Sequence, residues 1–515
     1  MKLVKPLLIC AILILSSALS GCGAGTTAFR ADIDFPITNL DPQFATAREA
    51  QIIIAAMFEG LVVQQPTGEI IPGVAKSWEI SSDGLIYTFH LREGLYWSGA
   101  QSIPLTAEDF AFALSRMFNP GTPSPHAGYF SAIRNAERRL SGDRAAHLGL
   151  RTVNRYTLQI TLERPDPMFL TRLASPAAMP VNEEFFTSTR GRYGLETRFV
   201  IANGPFVLRT WSDGMIHLIR NERYHSPENI PNTATFHIGR EEPYITLTEG
   251  RSDFARVPDS FAQTALESNL AMNPHGYRIW CIMFNMRDPV WGQALLRQSI
   301  AASVVRQSYG YFPTAMLATE SFLLGEQRVF ELYPFVNPLT HNTQNALELL
   351  ELGMEAAQLT EPPPLTILVP GWGEHMPYMR EIQQIWQETL PISVHLEIVS
   401  GESLERRLLT GEFQAALVPF ESQAMQLDEM LEQFRSASPI NRTGYRNPIF
   451  DMFLDQARLA PTITDMAARY GEAHRLLLSD APIIPLYFEI TWYAVTQDAY
   501  PHAWIYLGGR RAIDS

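Results

Sequence analysis

The chain reads as an α/β protein on three observations. Strand-period alternation occurs early, a strand, helix, strand succession occurs late, and apolar residues suffice for a large core. Tyr87-Thr88-Phe89-His90-Leu91 alternates apolar with polar side chains, as does Thr157-Leu158-Gln159-Ile160-Thr161-Leu162. A period of two sets one face against a core and the other toward water, so both are predicted half-buried strands. Between them, Thr106-Ala107-Glu108-Asp109 precedes Phe110, Phe112, Ala113 and Leu114. This predicts a capped helix start, with the Thr106 hydroxyl available to the orphan amides of the first turn. Later, Pro362-Pro363-Pro364 leads into the apolar run Leu365-Thr366-Ile367-Leu368-Val369. Helix periodicity covers 378–390, Val394-His395-Leu396-Glu397-Ile398 alternates, and a second helix at 404–409 precedes a strand at 414–418. Units of that length favour parallel neighbours joined by right-handed crossovers.

Composition is that of a folded chain, 46% hydrophobic and 18% charged, which argues against disorder. The first residues differ from the rest. Lys2 and Lys5 lead a mostly apolar stretch over 7–19, and small residues precede Cys22. This is the layout of an export signal, 1–21, and too short to cross a bilayer comfortably. Its removal leaves roughly 490 residues, enough for two or three domains. Of the three cysteines, Cys10 leaves with the leader, and Cys281 has no partner for a disulfide within the chain once Cys22 is used as below. The core must therefore hold the fold by itself. The net charge of −14 becomes −16 once Lys2 and Lys5 are lost, which argues against nucleic acid as a partner and against a polybasic membrane patch. Lys76 is the only lysine beyond the leader, so nearly every cation is arginine, a residue suited to carboxylate recognition.

Catalytic signatures are missing. The sequence has no Gly-x-Ser-x-Gly, no His-Glu-x-x-His and no Cys-x-x-Cys, hence no strong hydrolase, zinc or redox signal. Gly68-Glu69-Ile70-Ile71-Pro72-Gly73 followed by Lys76-Ser77 resembles a phosphate loop, but Val74 and Ala75 intervene, and amides and ammonium could not converge on one phosphate. His375, near Trp372 and Glu374, reads as a loop residue rather than a metal ligand. Acidic residues could supply the carboxylate pair of a secreted hydrolase or lyase, yet no spacing nominates one. No cofactor and no metal is expected. Aromatics in loop-like contexts, Trp97, Tyr129, Trp211, Trp280, Trp372 and Phe420, can serve as core or as the apolar walls of a cleft.

Two resemblances sharpen this reading. Leu19-Ser20-Gly21-Cys22 resembles a bacterial lipobox, which implies cleavage before Cys22, lipidation of its thiol and a body tethered outside the cytoplasmic membrane. Further on come Leu40-Asp41-Pro42, Phe58-Glu59-Gly60-Leu61-Val62, Pro72-Gly73-Val74-Ala75-Lys76-Ser77-Trp78 and Asp83-Gly84 through Arg92. Then follow Trp97-Ser98, Leu105-Thr106-Ala107-Glu108-Asp109-Phe110, Asn203-Gly204-Pro205-Phe206 with Trp211, and Arg220-Asn221-Glu222-Arg223-Tyr224. Phe284-Asn285, Leu296-Arg297-Gln298-Ser299, Tyr445-Arg446-Asn447-Pro448 and Ala481-Pro482-Ile483-Ile484-Pro485-Leu486-Tyr487 complete the series. In this order they resemble the extracellular solute-binding proteins of family 5, the oligopeptide- and dipeptide-binding lipoproteins of ABC importers.

The resemblance implies a bilobal, periplasmic-binding-protein-like clamp of the type II, cluster C kind, with a small domain inserted in the first lobe. By analogy the first lobe takes 28–72, 166–272 and 482–515, the insert 73–165, and the second lobe 273–481. A monomer working with a membrane permease and its ATPase subunits is implied, with oligopeptide as ligand. The family also serves nickel complexes, opines, sugars and signalling peptides, and a sensing receptor without transport is a further alternative. In the peptide binders an aspartate holds the ligand's ammonium. The matching stretch here is Val418-Pro419-Phe420-Glu421-Ser422-Gln423, which puts Gln423 at that position, with Glu421 as a neighbouring substitute. Tyr129, Trp280, Phe420, Glu421, Gln423 and Tyr487 are the expected cleft residues, and none is expected to be catalytic.

Overall fold

Alternation along the strands builds a sheet with a core on each face. The computed structural model describes residues 28–505 apart from 34–35, 66–67, 100–101, 228–229, 240–241, 306–315, 320, 323–336, 374 and 422–426. Cys22 and Gln423 lie outside the described residues. The described strands are β1 (Ala28–Ile33), β2 (Val62–Gln64), β3 (Ile70–Pro72), β4 (Ala75–Ile80), β5 (Ile86–Leu91), β6 (Leu150–Asn154), β7 (Thr157–Thr161), β8 (Phe206–Ser212) and β9 (Met215–Arg220). Then come β10 (Thr233–Ile238), β11 (Phe254–Val257), β12 (Ala271–Phe284), β13 (Met316–Ala318), β14 (Leu365–Pro370), β15 (Val394–Val399), β16 (Ala415–Glu421) and β17 (Ile483–Val495).

Among the described residues, eleven strands form one sheet in the order β15-β14-β16-β12-β17-β11-β1-β10-β9-β8, with β13 paired to β17 off that path. The predicted strand, helix, strand units are present. β14 lies parallel to both β15 and β16, and the connecting helices are His375–Thr389 and Gly401–Thr410. Ser400 caps the second of these, its side chain accepting from the Ser403 amide, and Gly411 ends it at a φ of 76°, a left-handed value that glycine adopts without strain.

β4, β5, β7 and β6 form a separate antiparallel sheet in that order. Helix Ala107–Arg116 lies between its strands in the chain and starts at Thr106 with a capping box, the Asp109 carboxylate accepting the Thr106 amide at 2.7 Å. Lys76, the lysine of the phosphate-loop look-alike, lies within β4.

Burial divides the molecule into two regions. Phe29, Phe236 and Phe254 of the main sheet share one continuous core with Phe89, Leu158 and Phe110 of the separate sheet and its helix. At the other end of the main sheet, Ile279, Cys281 and Met283 of β12 belong to a core on one face, and Trp280, Ile282 and Phe284 to a core on the opposite face. The period of two in β12 is what feeds both. No described helix is long and apolar enough to cross a membrane.

Candidate functional site

β12 and β17, the longest described strands, run antiparallel through the middle of the sheet and join these regions. β17 is buried over 483–488, half-exposed over 489–492 and buried again over 493–495. The half-exposed stretch is therefore where the strand passes between cores. The ladder breaks at the same level. His275 pairs with Thr491 and Arg278 with Glu489, so two residues of β12 stand opposite one of β17. This is a bulge, and it contains Gly276, whose backbone no Cβ restrains. A thinly covered crossing with an interrupted ladder has the geometry of a hinge.

Alternation assigns the side chains at this crossing. Tyr487 belongs with Trp280 to one core of the second region and Tyr493 to the core of the first, so Glu489 and Thr491, on the same face of β17, lie on the floor between them. Arg278 approaches from β12, its Nη1 3.3 Å from Glu489 Oε2, with the two side chains 40% and 33% exposed. Trp280 Nε1 donates to the same carboxylate oxygen at 2.8 Å. The Trp280 ring is buried and lies 4.0 Å, centroid to centroid, from His375 at the start of helix His375–Thr389. A 2.7 Å hydrogen bond joins His375 Nδ1 to the Tyr487 hydroxyl.

Burial pushes the His375 pKa down, the Glu489 charge opposing and the Arg278 charge reinforcing that shift. Burial raises Tyr487 well above its ordinary value, with the charges of Glu489 and Cys281 adding to it. A neutral imidazole and a protonated phenol thus underlie the exposed ion pair. The floor can meet charged groups of a ligand by hydrogen bonds and charge. Among the described residues no group of three His, Cys, Asp or Glu side chains is placed to hold a metal.

The expected cleft residues are distributed unevenly. Trp280 and Tyr487 come together, their rings 6.4 Å apart, and both are almost fully buried. Phe420 is on the opposite face of the same sheet, since β16 aligns Phe420 with Ile279 and Pro419 with Trp280. It packs edge-on to Phe322 at 5.3 Å and against Phe434, also at 5.3 Å, so Phe420 and Trp280 do not share one wall. Tyr129 sits in a short 3₁₀ turn, Ala127–Phe130. Its ring is stacked 6.1 Å from His126 and its carbonyl accepts from Arg172 at 3.1 Å. Glu421 ends β16 opposite Arg278 in backbone register.

Sequence reasoning missed Arg278 and Glu489 and set His375 aside. One signal was available for the pair: both are charged residues inside otherwise apolar strand segments, Tyr277-Arg278-Ile279-Trp280 and Tyr487-Phe488-Glu489-Ile490.

Two regions, each with its own core packing, joined by a two-strand crossing with a polar floor have the architecture of a clamp-type solute-binding protein. The chain belongs to the bacterial extracellular solute-binding proteins of family 5, whose model for the middle portion matches residues 69–442. It is 27% identical over 470 residues to the probable deoxycholate-binding periplasmic protein YgiS of Escherichia coli, covering 87% of this chain and 86% of that one. It is 25% identical over 517 residues to the oligopeptide-binding protein OppA of Bacillus subtilis, covering 93% and 94%. Among solved structures, the unliganded open form of the periplasmic murein tripeptide binding protein MppA superposes with a TM-score of 0.79 at 24% identity, over 95% of this chain and 96% of that chain. The expected bilobal α/β clamp is the fold observed.

Proposed function

We propose that this protein is the substrate-binding lipoprotein of an ABC importer, capturing oligopeptides between its lobes and delivering them to a membrane permease driven by ATPase subunits. The observation that carries this reading is the match to an oligopeptide-binding protein along 93% of the chain. The hinge-like crossing supports it, because closure around a ligand excludes water and strengthens each polar contact. In this reading the lobes divide at the boundaries given above, and a peptide docks as an added strand whose backbone is satisfied by the protein. Tyr129, Trp280, Glu421, Gln423 and Tyr487 act at or beneath that cleft, whereas Phe420 packs on the far face of the sheet from Trp280. Cys22 carries the lipid, and the body works as a monomer on the outer face of the cytoplasmic membrane.

A second reading has its own support. The YgiS relative is named for deoxycholate, and Gln423 here replaces the expected ammonium-binding aspartate, so a non-peptide solute is the alternative.

Native mass spectrometry of the body from Gly23 onward, purified without refolding, separates the two. The peptide reading predicts a ladder of retained masses matching short peptides. A single non-peptide species would overturn it. Expressed with its leader, the chain is expected in the membrane fraction, and the Cys22→Ala variant is expected to be lost from it; equal retention of both would refute lipid anchoring.

A further inference from the structure

We propose that the Glu489–Arg278 pair on the hinge floor is the receptor for a ligand's charged terminus, with Glu489 Oε1 accepting a free ammonium. This rests on the peptide reading and deepens it, since it supplies an ammonium acceptor remote in sequence from Gln423.

The geometry of the carboxylate points this way. An ionised carboxylate offers about four acceptor sites. Oε2 is fixed by the buried Trp280 indole at 2.8 Å, which sets the orientation of the group before any ligand arrives. Oε1 is met, among the described residues, by Arg278 Nη1 at 3.5 Å, the limit of a hydrogen bond. One oxygen is thus held and the other is lightly used. The ion pair itself is long at 3.3 Å and partly exposed on both sides, the kind that contributes little to stability and is readily exchanged for another partner.

Position adds specificity. Glu489 opens the half-exposed stretch of β17, at the level of the bulge in β12. Closing the lobes about this point would remove water from the pair and from anything bound to it. In that lower dielectric a charge-assisted bond between ammonium and carboxylate strengthens. A ligand bringing an ammonium gains from this closure. Each kind of charge meets one attracting and one repelling partner here, and the lightly used Oε1 of Glu489 is what decides for an ammonium over a carboxylate.

The test uses the body from Gly23 onward, wild type and Glu489→Gln, with trialanine, pentaalanine and the N-acetylated form of each peptide as probes in calorimetry. The Gln variant keeps an oxygen acceptor for Trp280 Nε1, and an unchanged urea midpoint would confirm that it folds. The expected result is at least tenfold weaker binding of the free-amino peptides to Glu489→Gln, with N-acetyl peptides bound weakly and equally by both proteins. Unchanged affinity for the free-amino peptides, or an equal loss for free and acetylated peptides, would overturn the assignment while leaving the peptide reading standing. Failure of the wild type to bind any of the four peptides would instead overturn the peptide reading, and this assignment with it.

Discussion

Glu59 explains why the family was legible in single residues while the ligand was not. Its buried carboxylate accepts the Tyr224 hydroxyl at 2.6 Å and meets His225 Nε2 at 2.6 Å, and its backbone exchanges hydrogen bonds with the Asn203 side chain. A Cβ at Gly204 would lie 2.7 Å from the Met57 carbonyl oxygen, so that glycine is required by close approach. Arg297 is buried and donates to the carbonyls of Asp480 and Ala481 at the end of helix Ile463–Asp480. Phe58-Glu59-Gly60, Asn203-Gly204-Pro205 and Leu296-Arg297 are thus scaffold motifs, and a scaffold says little about what is bound. Another buried group gives a pH prediction. Burial pushes the His474 pKa down to about 3. Above its unfolded value near 6.5 the residue is neutral in both states. As pH falls from about 6.5 toward 3, the unfolded chain takes up a proton that the native imidazole refuses, and stability declines by up to about 1.4 kcal/mol per pH unit. Urea unfolding at pH 7 and pH 5 should show a smaller decline for His474→Gln than for wild type. Equal declines would contradict the buried neutral state.

At the scale of elements, helix Ala107–Arg116 shows how the separate sheet is tied to the main body. Arg116 reaches Asp41 through two bonds, 2.8 and 2.6 Å, with the two side chains 11% and 8% exposed. Its guanidinium also lies 4.2 Å from the Phe186 ring centroid. Burial raises the Asp41 pKa even though Arg116 opposes the shift. Removing the guanidinium therefore strands a buried carboxyl, and Arg116→Ala is expected to destabilise the protein by on the order of 3–5 kcal/mol in urea unfolding. A loss below about 1 kcal/mol would show the contact to be dispensable. The elements read from pattern all appear, β5, β7 and β15 from alternation, β14 and β16 from short apolar runs of the kind a strand buried on both faces shows, and their intervening helices from helix periodicity. β12 carries no such pattern along its length, since Pro274 and Gly276 interrupt it. Only the pairing with β17 makes that stretch a bulged strand, and the Arg278–Glu489 contact spans a separation of 211 residues that no local pattern reports.

At the scale of the whole molecule, the two core regions are expected to turn about the β12–β17 crossing to enclose a solute. A compact chain of roughly 490 residues would have a radius of gyration of about 23 Å, and an open clamp exceeds the value of its closed form. Small-angle X-ray scattering of the body from Gly23 onward, freed of retained ligand by partial unfolding and refolding, tests this with and without saturating peptide. A larger radius is expected without ligand, with a fall toward the compact value when peptide is added. Peptide binding proven by calorimetry on the same sample, with no change in the scattering curve, would contradict it.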